Sequence, residues 1–209
     1  MKKEKIYIEL MDDGKIPIYA NFNDAGADVY AAEDLVIRPG EKIIIPLNFK
    51  VALPDSIEMQ VRPRSGLSLK TSLSIPNSPG TVDAGYRNPV GVIAENTYNI
   101  ATLPYEMLYN EELREKVQKN CRILFPDEKS AVFTTYSAKG TETQETLGLA
   151  PFLVLDEQNN PYGTLYMEKG TKIAQVVFNE VIHAEFIETD DVSLIGKNRG
   201  GGYGSTGLK

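Results

Sequence analysis

Five short stretches of this sequence combine ionisable, hydroxyl and amide side chains with glycine. In "NSPGTVDAGYR" (Asn77 to Arg87), Asp83 follows Thr81 and Val82. A carboxylate emerging partly shielded from a strand end is a candidate general base for water. Asn77 lies among turn formers, where its amide and the local backbone can read a polar ring edge, and Tyr86 is placed to reach a sugar face. In "RPRSGLSLK" (Arg62 to Lys70), Pro63 cannot donate to a central ladder, so the strand ends there. Arg64, Ser65 and Gly66 then offer a guanidinium fork, a hydroxyl and free backbone N–H groups, which together suit an anion. In "AGADVYA" (Ala25 to Ala31), Gly26 and its small neighbours allow a tight backbone and present Asp28 at a strand start. In "EKGTKIAQVVFNEV" (Glu168 to Val181), Gln175 is a polar residue among apolar ones, suited to a phosphate or a neighbouring subunit. "RGGGYGSTG" (Arg199 to Gly207) sets Arg, Tyr, Ser and Thr among five glycines, as a tail folding over a phosphorylated ligand requires.

These residues need a scaffold. Through about position 100, Pro and Gly recur between short alternating or β-rich runs such as "KIYIEL", "EKIIIPLNFKVALP" and "SIEMQVRP". That rhythm predicts an all-β barrel or sandwich. From Asn99 the pattern changes. "LPYEMLYNEELREKVQKNC" carries Met107, Leu108, Leu113 and Val117 near helical spacing, acids early and Lys late, which predicts one helix near 104–119. Strand patterns return in "TLYMEKGTKIAQVVFNEVIHAEFIET". The expected organisation is a β domain of 1–98 and 161–195, an insertion of 99–160, and a flexible glycine-rich lid of 196–209.

Composition narrows the chemistry. The net charge of −7 argues against a polynucleotide partner, whose binding rests on phosphate neutralisation, but allows one small anion at a local basic site. A single Cys, Cys121, leaves no internal disulfide, and a single His, His183, argues against a zinc site. No apolar run approaches a membrane span and the N-terminus lacks the pattern of a signal peptide, so a cytoplasmic setting is expected.

In order and spacing, the five stretches resemble the five motifs of the trimeric dUTPase family. "AGADVYA" resembles the first motif, "PRSGL" the second, "NSPGTVDAGYR" the third, "GTKIAQVVF" the fourth and "RGGGYGSTG" the fifth. The resemblance implies a distorted jelly-roll β-barrel with an inserted, partly helical segment, assembled as a homotrimer with shared active sites. It implies hydrolysis of dUTP to dUMP and pyrophosphate with Mg²⁺. Asp83 would activate the attacking water. Asn77 with Gly80, Thr81 and Val82 would read uracil, and Tyr86 would pack on the deoxyribose. Arg64, Ser65, Gly66 and Gln175 would hold phosphates, and Asp28 would orient water around the metal. Arg199, Tyr203, Gly204, Ser205 and Thr206 would close the lid, Tyr203 standing where the family usually has Phe.

Two readings compete. dCTP deaminase, or a bifunctional deaminase/dUTPase, shares the "DAGY" pattern but needs a Glu ten residues after Asp83, where this chain has Ile93. A non-catalytic, nucleotide-responsive protein could act through the insertion, whose Tyr- and Leu-containing helix is compatible with a protein partner.

Overall fold

Side chains alternate between buried and outer positions along most strands, as a two-layer β structure demands. Ile57, Met59 and Val61 are buried and the residues between them are not. Val92, Ala94 and Asn96 repeat that pattern. In this computed structural model residues 3–124, 132–136, 142–146 and 153–200 are described. In chain order they form strands β1 (Tyr7–Leu10), β2 (Ala27–Tyr30), β3 (Leu35–Ile37), β4 (Lys42–Pro46), β5 (Phe49–Ala52) and β6 (Ile57–Pro63), then helix α1 (Ser65–Lys70). Strands β7 (Leu73–Ser74), β8 (Gly80–Val82) and β9 (Gly91–Asn96) follow, then helices α2 (Leu103–Tyr109) and α3 (Glu111–Asn120). The remaining strands are β10 (Arg122–Leu124), β11 (Val132–Tyr136), β12 (Glu142–Thr146), β13 (Leu153–Leu155), β14 (Leu165–Met167) and β15 (Lys172–Glu180).

The architecture is the all-β, distorted jelly roll with an inserted, partly helical segment. One sheet has the order β2-β15-β6-β8 and another β4-β9-β7, with the pairs β1-β5 and β3-β14 closing the sides. All these pairings are antiparallel. Between the layers lies one apolar core that includes Val29, Ile37, Ile45, Leu47, Phe49, Met59, Val92, Ile173 and Val176. Each such side chain contributes about 1.5–3 kcal/mol on burial, which is what drives the layers together.

Among the described residues one polar side chain is fully buried, Asn96, and every polar atom of its amide is used. Its Nδ2 donates to the carbonyls of Ile37 at 2.9 Å and Gly163 at 2.8 Å. Its Oδ1 accepts from Ser72 Oγ at 2.6 Å and from the Tyr98 N–H at 3.0 Å. One side chain therefore ties β3, β9 and the segment after β13 together.

Between β9 and β14 the chain leaves the barrel. The single helix expected near 104–119 is two helices. Asn110 breaks them with an extended backbone (φ −124°, ψ 97°), and its side chain caps α3 by accepting from the Leu113 N–H at 3.0 Å. Met107, Leu113 and Val117 pack with Leu103 and Val154 in a second, smaller apolar cluster, whereas Leu108, one position round α2 from Met107, is exposed. No helix among the described residues is long and apolar enough to cross a membrane.

Candidate functional site

The centre of the site is Asp28, in the middle of the most buried strand. It is only 8% exposed, yet it carries a charge because two cations meet it. Arg64 Nε donates to Asp28 Oδ1 at 2.8 Å, and the Lys172 ammonium lies 2.8 Å from Oδ2. Burial pushes the Asp28 carboxyl up, but the Lys172 hydrogen bond and the charges of Arg64 and Lys172 together outweigh it and hold the group below the usual carboxylate range. The same contact raises the Lys172 ammonium, chiefly through the Asp28 hydrogen bond.

Strand register brings these residues together. Gln175 of β15 stands opposite Asp28 on one side and Arg62 on the other, and Ala174 faces Pro63. Arg64 is therefore delivered to the mouth of the same cleft, where β6 ends and α1 begins. The first turn of α1 leaves the N–H groups of Ser65 and Gly66 ahead of the helix's own bonds, which start with Leu67 and Ser68 donating to the Arg64 carbonyl. Gly66 faces open space. Gln175 Nε2 donates to the Pro63 carbonyl at 3.2 Å, which holds the amide across the cleft. A methyl on Gly26 would come within 2.4 Å of Gln175 Oε1, so only glycine leaves room for that side chain. The resulting cleft, about 350 Å³, is lined by Asp24, Asp28, Arg64, Ser65, Gly66 and Gln175 among others. It offers a guanidinium, a hydroxyl and an amide to an anion.

The Asn77–Tyr86 hairpin lies elsewhere on the same sheet. β8 is its edge strand, with Val61 opposite Gly80, Gln60 opposite Thr81 and Met59 opposite Val82. Gly80 is buried and brings the Asn77 amide close, since a methyl there would lie 3.0 Å from Asn77 Nδ2. Asp83 emerges from the strand end, but it is exposed where the sequence predicts partial shielding, because among the described residues no strand lies outside β8. The Tyr86 N–H donates to the Asp83 carbonyl at 3.0 Å, and Tyr86 Oη donates to the Pro89 carbonyl at 3.0 Å. Asp28, Arg64, Ser65, Gly66 and Gln175 are thus assembled in one cleft, and Asn77, Gly80, Thr81, Val82, Asp83 and Tyr86 in a second cluster along the sheet.

Arg199 is exposed and joins neither cluster. Beyond Val181, whose N–H reaches the Ser56 carbonyl, the described residues make only local hydrogen bonds. Tyr203, Gly204, Ser205 and Thr206 lie outside the described residues. Sequence reasoning passed over Lys172. Its signal was its place at the head of β15, three residues before Gln175, but only the pairing with β2 shows that it meets Asp28.

Comparison with known proteins identifies the family and the fold. The dUTPase family model matches residues 12–102. The deoxyuridine 5'-triphosphate nucleotidohydrolase of Clostridium tetani is 47% identical over 87 residues, which are 42% of this chain and 60% of that protein. This chain therefore spans under two thirds of that relative's length. The corresponding protein of Wolbachia pipientis is 38% identical over 122 residues, 55% of this chain and 78% of that protein. Among solved structures, the dUTPase of Staphylococcus bacteriophage 80alpha with dUPNHPP shares the fold at a TM-score of 0.66 and 22% identity, covering 99% of this chain and 100% of that one. From the N-terminal motifs through the hairpin to the distorted jelly roll that carries them, the chain belongs to the dUTPase family.

Proposed function

We propose that this chain hydrolyses dUTP to dUMP and pyrophosphate, as a homotrimer whose sites are shared between subunits. The observation that carries the reading is the cleft in which Arg64, Ser65, Gly66 and Gln175 converge beside Asp28. Family membership supports the substrate. The shared site draws support from the separation of that cleft from Asp83 and from the tail. Ile182, Phe186 and Ile187 are 92%, 95% and 80% exposed, apolar side chains that a neighbouring subunit would cover.

In this mechanism Asp83 takes a proton from water as the water oxygen bonds to the α-phosphorus. The bond from that phosphorus to the bridging oxygen breaks, and pyrophosphate leaves with the electron pair. A subunit packed over β8 supplies the shielding that Asp83 lacks alone. Arg64, Gln175, the Ser65 hydroxyl and the N–H groups of Ser65 and Gly66 hold the phosphates and neutralise charge that builds in the transition state. Asn77 and the backbone of Gly80, Thr81 and Val82 read the uracil edge, and Tyr86 packs on the deoxyribose. Arg199, Tyr203, Gly204, Ser205 and Thr206 close over the bound nucleotide and exclude water.

The donor set suits Mg²⁺ held mainly by the substrate. Among the described residues no cluster of three acidic, His or Cys side chains forms a protein metal cage. Each Asp28 oxygen accepts one bond from a cation and keeps a lone pair for a metal-bound water. Asp28 would therefore hold the ion through water, and the ion would neutralise triphosphate charge. The reaction would limit uracil incorporation into DNA and supply dUMP for thymidylate synthesis.

The test is pyrophosphate release from dUTP, dCTP, dTTP and UTP with Mg²⁺, for the intact chain and Asp83→Asn. Release from dUTP alone is expected, falling by about 10²–10⁴-fold in the variant as a general base is lost. Ammonia from dCTP would move the chain to the deaminase, and no turnover of any nucleotide would overturn the enzymatic reading.

A further inference from the structure

Three contacts converge on Lys172, a residue that none of the assigned roles includes. Its ammonium occupies Asp28 Oδ2 at 2.8 Å. Its carbonyl accepts from Arg64 Nη1 at 3.2 Å. It stands opposite Tyr30 of β2, and the register of β15 shifts between Lys172 and Ala174. A shift of that kind re-aims a side chain relative to a regular ladder, and here the side chain reaches the carboxylate.

The consequence falls on Arg64. An arginine facing a lone carboxylate closes a two-oxygen fork and uses two of its edges on it. Here Lys172 holds Oδ2, and Arg64 reaches only Oδ1, through Nε. Its Nη1 is turned to the Lys172 carbonyl, and Nη2 makes no bond among the described residues. The guanidinium is thus fixed at two points while part of it still faces the cleft.

We propose that Lys172 is a positioning residue for phosphate recognition: by occupying one oxygen of Asp28 it keeps Arg64 from closing on that carboxylate and leaves an Arg64 N–H edge for a phosphoryl oxygen of the ligand. The inference rests on the nucleotide reading above. Without Lys172, Arg64 is the only counter-charge among the described residues for a nearly buried carboxylate and is drawn onto it. A phosphate must then compete with Asp28 for the guanidinium.

The test is calorimetric titration of the full chain with the imido analogue of dUTP, alongside steady-state hydrolysis of dUTP. The chains compared are wild type, Lys172→Met, Lys172→Arg and the double variant Asp28→Asn/Lys172→Met. Lys172→Met is expected to bind the analogue about tenfold more weakly, the loss of one charge-assisted contact. Its KM should rise in proportion while kcat stays within about threefold, the pattern of lost ground-state binding. Lys172→Arg should restore affinity. The double variant should bind the analogue more tightly than Lys172→Met when no metal is present, because the competing carboxylate is gone. It also removes the uncompensated buried charge, so it reports on Arg64 even if the single variant folds poorly. Wild-type affinity and KM in Lys172→Met, or a double variant no better than the single one, overturns the inference alone. A wild-type chain that neither binds the analogue nor turns over dUTP overturns the nucleotide reading and this inference with it.

Discussion

Asp83 and Arg64 stand at opposite ends of one strand pair. Val82 is opposite Met59, and β6 runs on from Met59 through Pro63 before Arg64 is reached. Asp83 lies one residue past Val82, away from Arg64, so at ~3.3 Å per residue six steps separate them by roughly 20 Å. That is far beyond the ~3 Å at which a base meets its proton, and too long for a water at one end to meet a phosphate at the other.

A site divided between subunits makes complementation possible. Asp83→Asn and Arg64→Ala should each be nearly inactive alone. Mixed during refolding in equal amounts, they should regain about a quarter of wild-type pyrophosphate release, since one site in four of a random cyclic assembly pairs an intact Asp83 with an intact Arg64. Activity no higher than the sum of the separate variants would mean that each chain builds its own site.

Asn96→Ala should be among the most destabilising single changes in the barrel. It strips partners from the carbonyls of Ile37 and Gly163, the Ser72 hydroxyl and the Tyr98 N–H. Leaving such groups buried and unpaired costs about 1–3 kcal/mol each, and relaxation and water entry reduce the total. A loss of at least ~3 kcal/mol in urea unfolding is expected. The reaction chemistry should survive at low temperature, because Asn96 touches neither cluster of site residues.

Gly26→Ala should act on binding more than on folding. The added methyl meets the far end of the Gln175 side chain, not backbone, so Gln175 swings away and the strands stay in place. A melting temperature within about 3 °C of wild type is expected, with KM for dUTP raised about tenfold as one phosphate contact is lost. A large fall in melting temperature with unchanged KM would show that Gln175 serves packing alone.

Alkaline pH should loosen the seam between barrel and helices. Burial pushes the Tyr98 hydroxyl well above its ordinary value, with the Glu106 charge adding to it. Burial likewise raises Tyr162 and Cys121. The unfolded chain loses these protons near their ordinary values, while the folded chain holds them. Their contribution is therefore fully present below about pH 8.5 and is lost as pH climbs through the raised values. Tyr98 Oη is also buried without a hydrogen-bond partner among the described residues. Tyr98→Phe should therefore gain about 1 kcal/mol at neutral pH and show a smaller loss between pH 8 and 10.5. Urea unfolding at those values measures both, and a net loss at neutral pH would mean that the hydroxyl has a water partner.

The sequence by itself determined the local chemistry and the fold class. Pro63 ends β6 because it lacks an N–H, and Gly66 and Ser65 follow as an open helix start. Alternation of apolar residues makes Met59 and Val61 core without reference to anything distant. Even the break at Asn110 was legible, since an Asn before two glutamates is a cap signal, although helical spacing of the apolar residues carried the reading past it. Tertiary structure alone decided which of these local pieces meet. Lys172 reaches Asp28 only because β15 pairs with β2 in one register, Asn96 reaches Gly163 across 67 residues of chain, and Asp83 is held apart from Arg64 by the length of a strand. Turns and strand ends follow from the sterics and hydrogen bonding of adjacent residues. Cross-strand register and burial follow from packing the whole core at once, and no short stretch of sequence records that.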